Sequence, residues 1–134
     1  MKGVGEYGFR AIPMAVVMGI IFYLSHQPAG TIQLPLVYGL DKILHACIYG
    51  VLGLSTCFVF PPRVWRHKPA LVSGGVVFFC LLFGISDEIH QSFIAGRDSS
   101  GADVLADLVG AFIGVALYRH FCTILAARGR RCIS

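Results

Sequence analysis

Charge is what this sequence has least of. Lys, Arg, Asp and Glu make up 13% of its 134 residues, where a soluble domain typically has about 25%. So little charge cannot cover a water-facing surface, and long apolar stretches carry none at all, as membrane-spanning sequences do. Cysteines with useful spacing are also missing. Cys47, Cys57, Cys80, Cys122 and Cys132 show no paired pattern, and the first four fall within or at the ends of apolar segments. Neither a zinc site nor a disulfide framework is implied, and small buried apolar side chains are the expectation. There is no internal repeat, no low-complexity tract and no room for a second domain, so residues 1–134 read as one domain. No Ser or Cys stands in a clear nucleophile motif; Ser86 beside Asp87 is a weak candidate.

What is abundant is hydrophobic sequence, 56% of the residues. Four spans can be drawn, at about Phe9 to Leu24, Lys42 to Phe60, Ala70 to Ile89 and Asp103 to Phe121. At 1.5 Å per residue, roughly 20 residues cover the ~30 Å hydrocarbon core. The fourth span is only just long enough, and only with Asp103 and Asp107 included. The first is expected to stay uncleaved, because SHQPAG lacks a small-x-small site and more spans follow. The expected fold is all-α, an integral membrane four-helix bundle.

Basic residues set the orientation. With a cytoplasmic N-terminus, that side carries Lys2, Arg10, Arg63, Arg66, Lys68, Arg119, Arg128, Arg130 and Arg131, and the other only Lys42 and Arg97. This positive-inside bias places both termini in the cytoplasm. Trp65 and Tyr118 inside, and Tyr23 outside, fit an aromatic belt. The RGRR tail reads equally as a headgroup contact and as a topology signal alone. Acids show the opposite bias: Asp41, Asp87, Glu88, Asp98, Asp103 and Asp107 are outer, and only Glu6 is inner. The net charge of +4 is therefore no nucleic-acid footprint, and no nucleic-acid partner is expected.

Helical spacing groups these residues. Asp41 and His45 are i, i+4 on the second span, with Tyr49 extending their face; Asp87 and Gln91 are i, i+4 on the third; Asp103 and Asp107 are i, i+4 on the fourth. Three helices thus offer a polar pair at one depth, and in a compact bundle the pairs converge. Structural roles compete. Asp41 could be an N-cap, and Ser100 with Asp103 resembles a capping box. Asp107 has no such role. It lies a turn deeper among apolar neighbours, where an unpartnered ionisable group costs roughly 2.5–3.5 kcal/mol. Asp87 and Glu88 end an outward-running helix, where the dipole disfavours negative charge. His26 and His90 read as loop or interface residues. Gly110 and Gly114 continue the stripe of Asp103 and Asp107 and turn it toward the bundle. Gly50, Gly53, Gly74, Gly75 and Gly84 are expected to serve similar close packing.

LSHQP, DKILHACIYGVLG and GISDEIHQSFIAGRDSSGADVLADLVGAFIG resemble the VanZ-like family of small bacterial membrane proteins, from about Tyr23 to Tyr118. The motifs are DK-x-x-H opening the second helix, DE-x-x-Q ending the third, GR before the fourth and D-x-x-x-D beginning it. The resemblance marks Asp41, Lys42, His45, Asp87, Glu88, Gln91, Arg97, Asp103 and Asp107. Ala95 departs from the Pro that often precedes the GR. The resemblance implies a bacterial cytoplasmic (inner) membrane location and a cell-envelope role linked to glycopeptide (teicoplanin) resistance.

Two function classes follow. In the first, the chain acts on or binds an envelope lipid, a phospholipid or a lipid-linked precursor. Asp41, His45, Asp87, Glu88, Gln91 and Asp107 would carry the chemistry, and Lys42, Arg97, Asp103 and Tyr49 would hold the ligand. Outward helix N-termini favour a phosphate. Asp, Glu and His are suitable ligands for a divalent cation such as Mg²⁺, Mn²⁺ or Zn²⁺. Without a metal, His45 oriented by Asp41 would be a general base. In the second class, Arg97 and Lys42 neutralise Asp87, Glu88 and Asp107 in a structural ion-pair network, and the protein is a non-catalytic scaffold or masking protein. A transmembrane proton path is disfavoured, since the inner half of every helix is apolar.

Overall fold

The computed structural model describes residues 4–28, 39–97 and 99–128. Lys2, Asp98, Arg130, Arg131 and Cys132, and the side chain of Glu6, lie outside the described set. The described chain is all-helical: α1 (Val4–Ser25), α2 (Leu40–Val59), α3 (Pro62–His67), α4 (Pro69–Gln91) and α5 (Gly101–Ala127). Four of these, all but α3, are long and apolar enough to cross a membrane.

Two boundaries differ from the expected spans. The segment after α2 is not a plain connection. Pro61 and Pro62 open the short α3, since proline at the first helical position gives up an N–H that would be unpaired anyway. Helix α5 also runs six residues beyond Phe121, because Cys122 to Ala127 is free of charge and proline and Arg128 is the first basic residue after it. Cys47, Cys57 and Cys80 are free thiols, but Cys122 is disulfide-bonded, which corrects the expectation of no disulfide.

The fold is organised by one pairing. Helices α2 and α5 run parallel and share the most extensive contact in the bundle, with α1 packed on α2 and α4 on α5. Small residues make this approach close. A Cβ added at Gly110 would meet the backbone of Ala46, and one at Gly114 would meet the backbone of Gly50. At Gly53 it would come within 3.0 Å of the Ala111 carbonyl oxygen. Lipid cannot drive helices together hydrophobically, so such tight van der Waals seams carry the association. Gly84 is tight as well, but Gly74 and Gly75 have nothing within 4 Å; they are exposed, which corrects their expected packing role.

The remaining faces are apolar and outward, as a bilayer requires. Phe9 is 72% exposed on α1 and Leu105 63% on α5. Tyr23 is likewise exposed, whereas Tyr118 is buried and meets Trp65 ring to ring at 5.1 Å; it is not part of an outward belt. Trp65 Nε1 donates to the Cys57 carbonyl at 3.1 Å, tying α3 to the end of α2. Arg10, counted among the inner-side basic residues, is buried, with its guanidinium 5.0 Å from the Phe58 ring centroid.

Candidate functional site

The parallel seam brings the N-terminal turns of α2 and α5 side by side, and that end of the bundle holds the acids. Lys42 Nζ donates to Asp41 Oδ2 at 2.8 Å and to Asp103 Oδ1 at 3.0 Å. One turn deeper, His45 Nδ1 donates to Asp107 Oδ1 at 2.9 Å. The carboxylate that orients His45 is therefore Asp107 and not Asp41, which is exposed and held by Lys42. The i, i+4 rule finds neighbours on one helix only, while the seam supplies a nearer partner from the next. Asp41 is not an N-cap either; that position is Gly39, whose φ of 79° is left-handed.

Helix α4 adds the other acids. Glu88 Oε2 accepts from the backbone N–H of Ser100 at 2.8 Å. Ser100 is the N-cap of α5, and its hydroxyl accepts from the Ala102 N–H at 3.1 Å. In a capping box the third helical residue would satisfy the cap's own N–H. Here that residue is Asp103, whose Oδ1 goes to Lys42, and Glu88 takes over the task. This also answers why a carboxylate ends α4: its charge is directed at the N-terminus of α5, where the dipole favours it. The cap gives a direct test. Ser100→Ala should cost about 0.5–2 kcal/mol and Ser100→Gly only a few tenths, read as unfolding midpoints in detergent. Equal losses would mean that the hydroxyl contributes nothing.

Asp87 faces the other way. Its Oδ2 accepts from Gln91 Nε2 at 2.9 Å, and the same nitrogen lies 3.2 Å from Ser25 Oγ at the end of α1. Ser25 escaped selection from the sequence, although it sits in the LSHQP segment. Arg97 follows Gly96, whose φ of 75° suits glycine, and turns back onto α1. Its Nη2 donates to the Leu24 carbonyl at 2.7 Å and its Nε to the Gln27 carbonyl at 3.2 Å. It thus satisfies carbonyls that the end of a helix leaves open. His26 and His90 meet at 3.3 Å on the exposed rim, stacked with Phe22.

Two neighbourhoods result. The buried one lies in the seam and contains Lys42, His45, Glu88, Asp103 and Asp107. The other is a cavity of about 570 Å³ lined from α1, α2, α4 and the loop before α5. Its polar end has Ser25, Asp41, Asp87, Gln91 and Arg97, and its walls include Ile21, Leu24, Leu44, Ile48 and Val51. His45 belongs to both, since it lines the cavity and holds Asp107 behind it. Tyr49 lies at the back of the cavity and is fully buried.

Buried atoms left without a hydrogen-bond partner among the described residues are Tyr49 OH, Glu88 Oε1, Asp107 Oδ2 and Tyr118 OH. All but Tyr118 belong to this end of the bundle. Orphaned buried oxygens are costly, and their concentration here is what a site for a ligand looks like. Chemically, a histidine whose Nδ1–H is fixed by a buried carboxylate presents Nε2 as a base or a metal ligand. His45, Glu88 and Asp103 each offer a ligand atom within 4.8 Å of the others.

The family model described as VanZ/LLP1 matches residues 9–125. No curated protein and no solved structure matches the chain.

Proposed function

Since the chain belongs to the VanZ/LLP1 family, we propose that it binds a cell-envelope lipid or lipid-linked precursor in the outer leaflet of the bacterial cytoplasmic membrane and acts on its head group, and that this underlies resistance to glycopeptides such as teicoplanin. Both termini then lie in the cytoplasm and the acidic end faces out. The observation that carries the proposal is the cavity: polar at one end through Asp87, Gln91 and Arg97, apolar along Ile21, Leu44 and Ile48. An amphiphile fits that division. Its head group meets the polar end, with Lys42 nearby, and an acyl chain follows the wall. Ligand sites of this type are mostly apolar with a few placed polar groups. The carboxylates repel a phosphate unless a cation or proton intervenes.

A second reading has its own support. Lys42 lies between two carboxylates, and Arg97 spends two nitrogens on backbone carbonyls. Both cations are thus used in holding helices together, as in a non-catalytic scaffold or masking protein.

Asp87→Asn and Asp107→Asn, made singly, separate the two. The site reading expects each variant to reach normal membrane abundance and yet leave cells as susceptible to teicoplanin as cells without the gene. Loss of abundance in both would favour the structural network. Unchanged abundance and unchanged resistance would sink both readings.

A further inference from the structure

We propose that His45, Glu88 and Asp103 form a binding site for one divalent transition-metal ion, of the Zn²⁺ or Mn²⁺ class. The argument rests on which atoms of the three side chains are already engaged. His45 gives Nδ1 to Asp107 at 2.9 Å, leaving Nε2. Glu88 gives Oε2 to the Ser100 N–H at 2.8 Å, leaving Oε1, which is buried without a partner. Asp103 gives Oδ1 to Lys42 at 3.0 Å, leaving Oδ2. Each side chain is held by one atom and has the other uncommitted. Metal ligands are characteristically oriented in this way, with the far ring nitrogen of a histidine bonded to a carboxylate.

Geometry and charge agree. One ligand atom from each of His45, Glu88 and Asp103 lies within 4.8 Å of the others. Atoms within 4.8 Å of one another lie at most about 2.8 Å from a common centre, so closing on an ion at metal–ligand distances of roughly 2.0–2.2 Å needs shifts of about 0.6–0.8 Å at most. Glu88 and Asp103 are both 7% exposed, so the site lies within the bundle. Among the described residues, five carboxylates (Asp41, Asp87, Glu88, Asp103, Asp107) stand at this end against the cations Lys42 and Arg97, a surplus that a dication relieves. One imidazole with two carboxylates suits Zn²⁺ and Mn²⁺ better than an all-oxygen Ca²⁺ site. Three protein ligands leave a coordination position open, and His45 borders the cavity. The site does not depend on the lipid reading.

The test uses the purified full chain in detergent, stripped with chelator and titrated separately with ZnCl₂ and MnCl₂ by calorimetry, with bound metal counted by mass spectrometry. One ion per chain is expected for at least one metal. Glu88→Gln and Asp103→Asn should abolish it. Asp107→Asn, acting through His45, should weaken it about 10–100-fold. His120→Asn, exposed at the opposite end of α5, should leave it unchanged. X-ray absorption of the Zn²⁺-loaded wild type, which needs no variant, should show one imidazole with oxygen ligands. Three results overturn the proposal: neither metal binds the wild type; the spectrum shows sulfur or two imidazoles; or binding survives Glu88→Gln and disappears in His26→Asn/His90→Asn, which would place the ion on the exposed histidine pair.

Discussion

Gly110→Val and Gly114→Val should each reduce the protein in the membrane fraction to a trace, and lower the unfolding midpoint of whatever remains. At both positions a Cβ runs into backbone, that of Ala46 for Gly110 and that of Gly50 for Gly114. A flexible side chain could move aside, but a helix backbone cannot do so unless α2 and α5 separate. Overpacking a core typically costs about 1–3 kcal/mol when side chains can adjust. A valine against backbone exceeds that range, in a fold whose whole stability is on the order of 5–15 kcal/mol. Separation would also cut the Lys42–Asp103 and His45–Asp107 links, which cross the same seam. Gly74→Ala and Gly75→Ala are the controls. With nothing within 4 Å of either, they should be neutral or stabilising by up to about 1 kcal/mol. Wild-type abundance and melting for both valine variants would show that this seam does not hold the bundle.

The same seam explains which parts of the site were legible in the sequence. The spans were, because a bilayer demands long apolar helices and the few charges fall between or at the ends of them. The stripe of Asp103, Asp107, Gly110 and Gly114 was also legible, since spacing on one helix is a property of that helix. What spacing could not supply is the register between helices. Lys42 meets Asp103 across 61 residues and His45 meets Asp107 across 62, a nearly constant offset that defines a parallel pair. The i, i+4 rule instead paired His45 with Asp41. A signal for the true register was present in Ala46 and Gly50, which are small residues one turn apart and able to face Gly110 and Gly114. Reading them against that stripe would have placed His45 beside Asp107.

Glu88, Ser25 and Arg97 teach a related lesson. Each was marked, or passed over, for a charge or polarity that its own segment does not explain. Each turns out to be engaged by a different element, two of them at a helix end. Glu88 caps α5 through Ser100, Arg97 satisfies carbonyls at the end of α1, and Ser25 reaches Gln91 on α4. Backbone groups at helix ends must find partners, and at this crowded end the partners come from neighbours. The expectation that Arg97 holds a ligand is correspondingly narrowed, since two of its nitrogens already bind protein. Asp107 was singled out for its depth alone, and among the described carboxylates it is the fully buried one.

His45→Leu should destabilise the protein by about 3–5 kcal/mol, because it strands the Asp107 carboxylate in the seam with neither oxygen paired. Adding Asp107→Ala should bring most of that back, to within roughly 1–3 kcal/mol of wild type, since the double variant no longer buries a lone charge. Alanine is the right choice at this position. It removes the carboxylate and adds no bulk at a fully buried position. Unfolding midpoints in detergent and membrane abundance read the rescue. If the double variant is as unstable as the two single losses summed, the His45–Asp107 bond is not what couples the helices. Rescue also creates a protein that the two functional readings treat differently. A structural network needs only a folded bundle, so the double variant would retain resistance. A ligand or reaction site needs the imidazole at the cavity edge and the carboxylate behind it, so the double variant should be folded, present at near-normal abundance and inert.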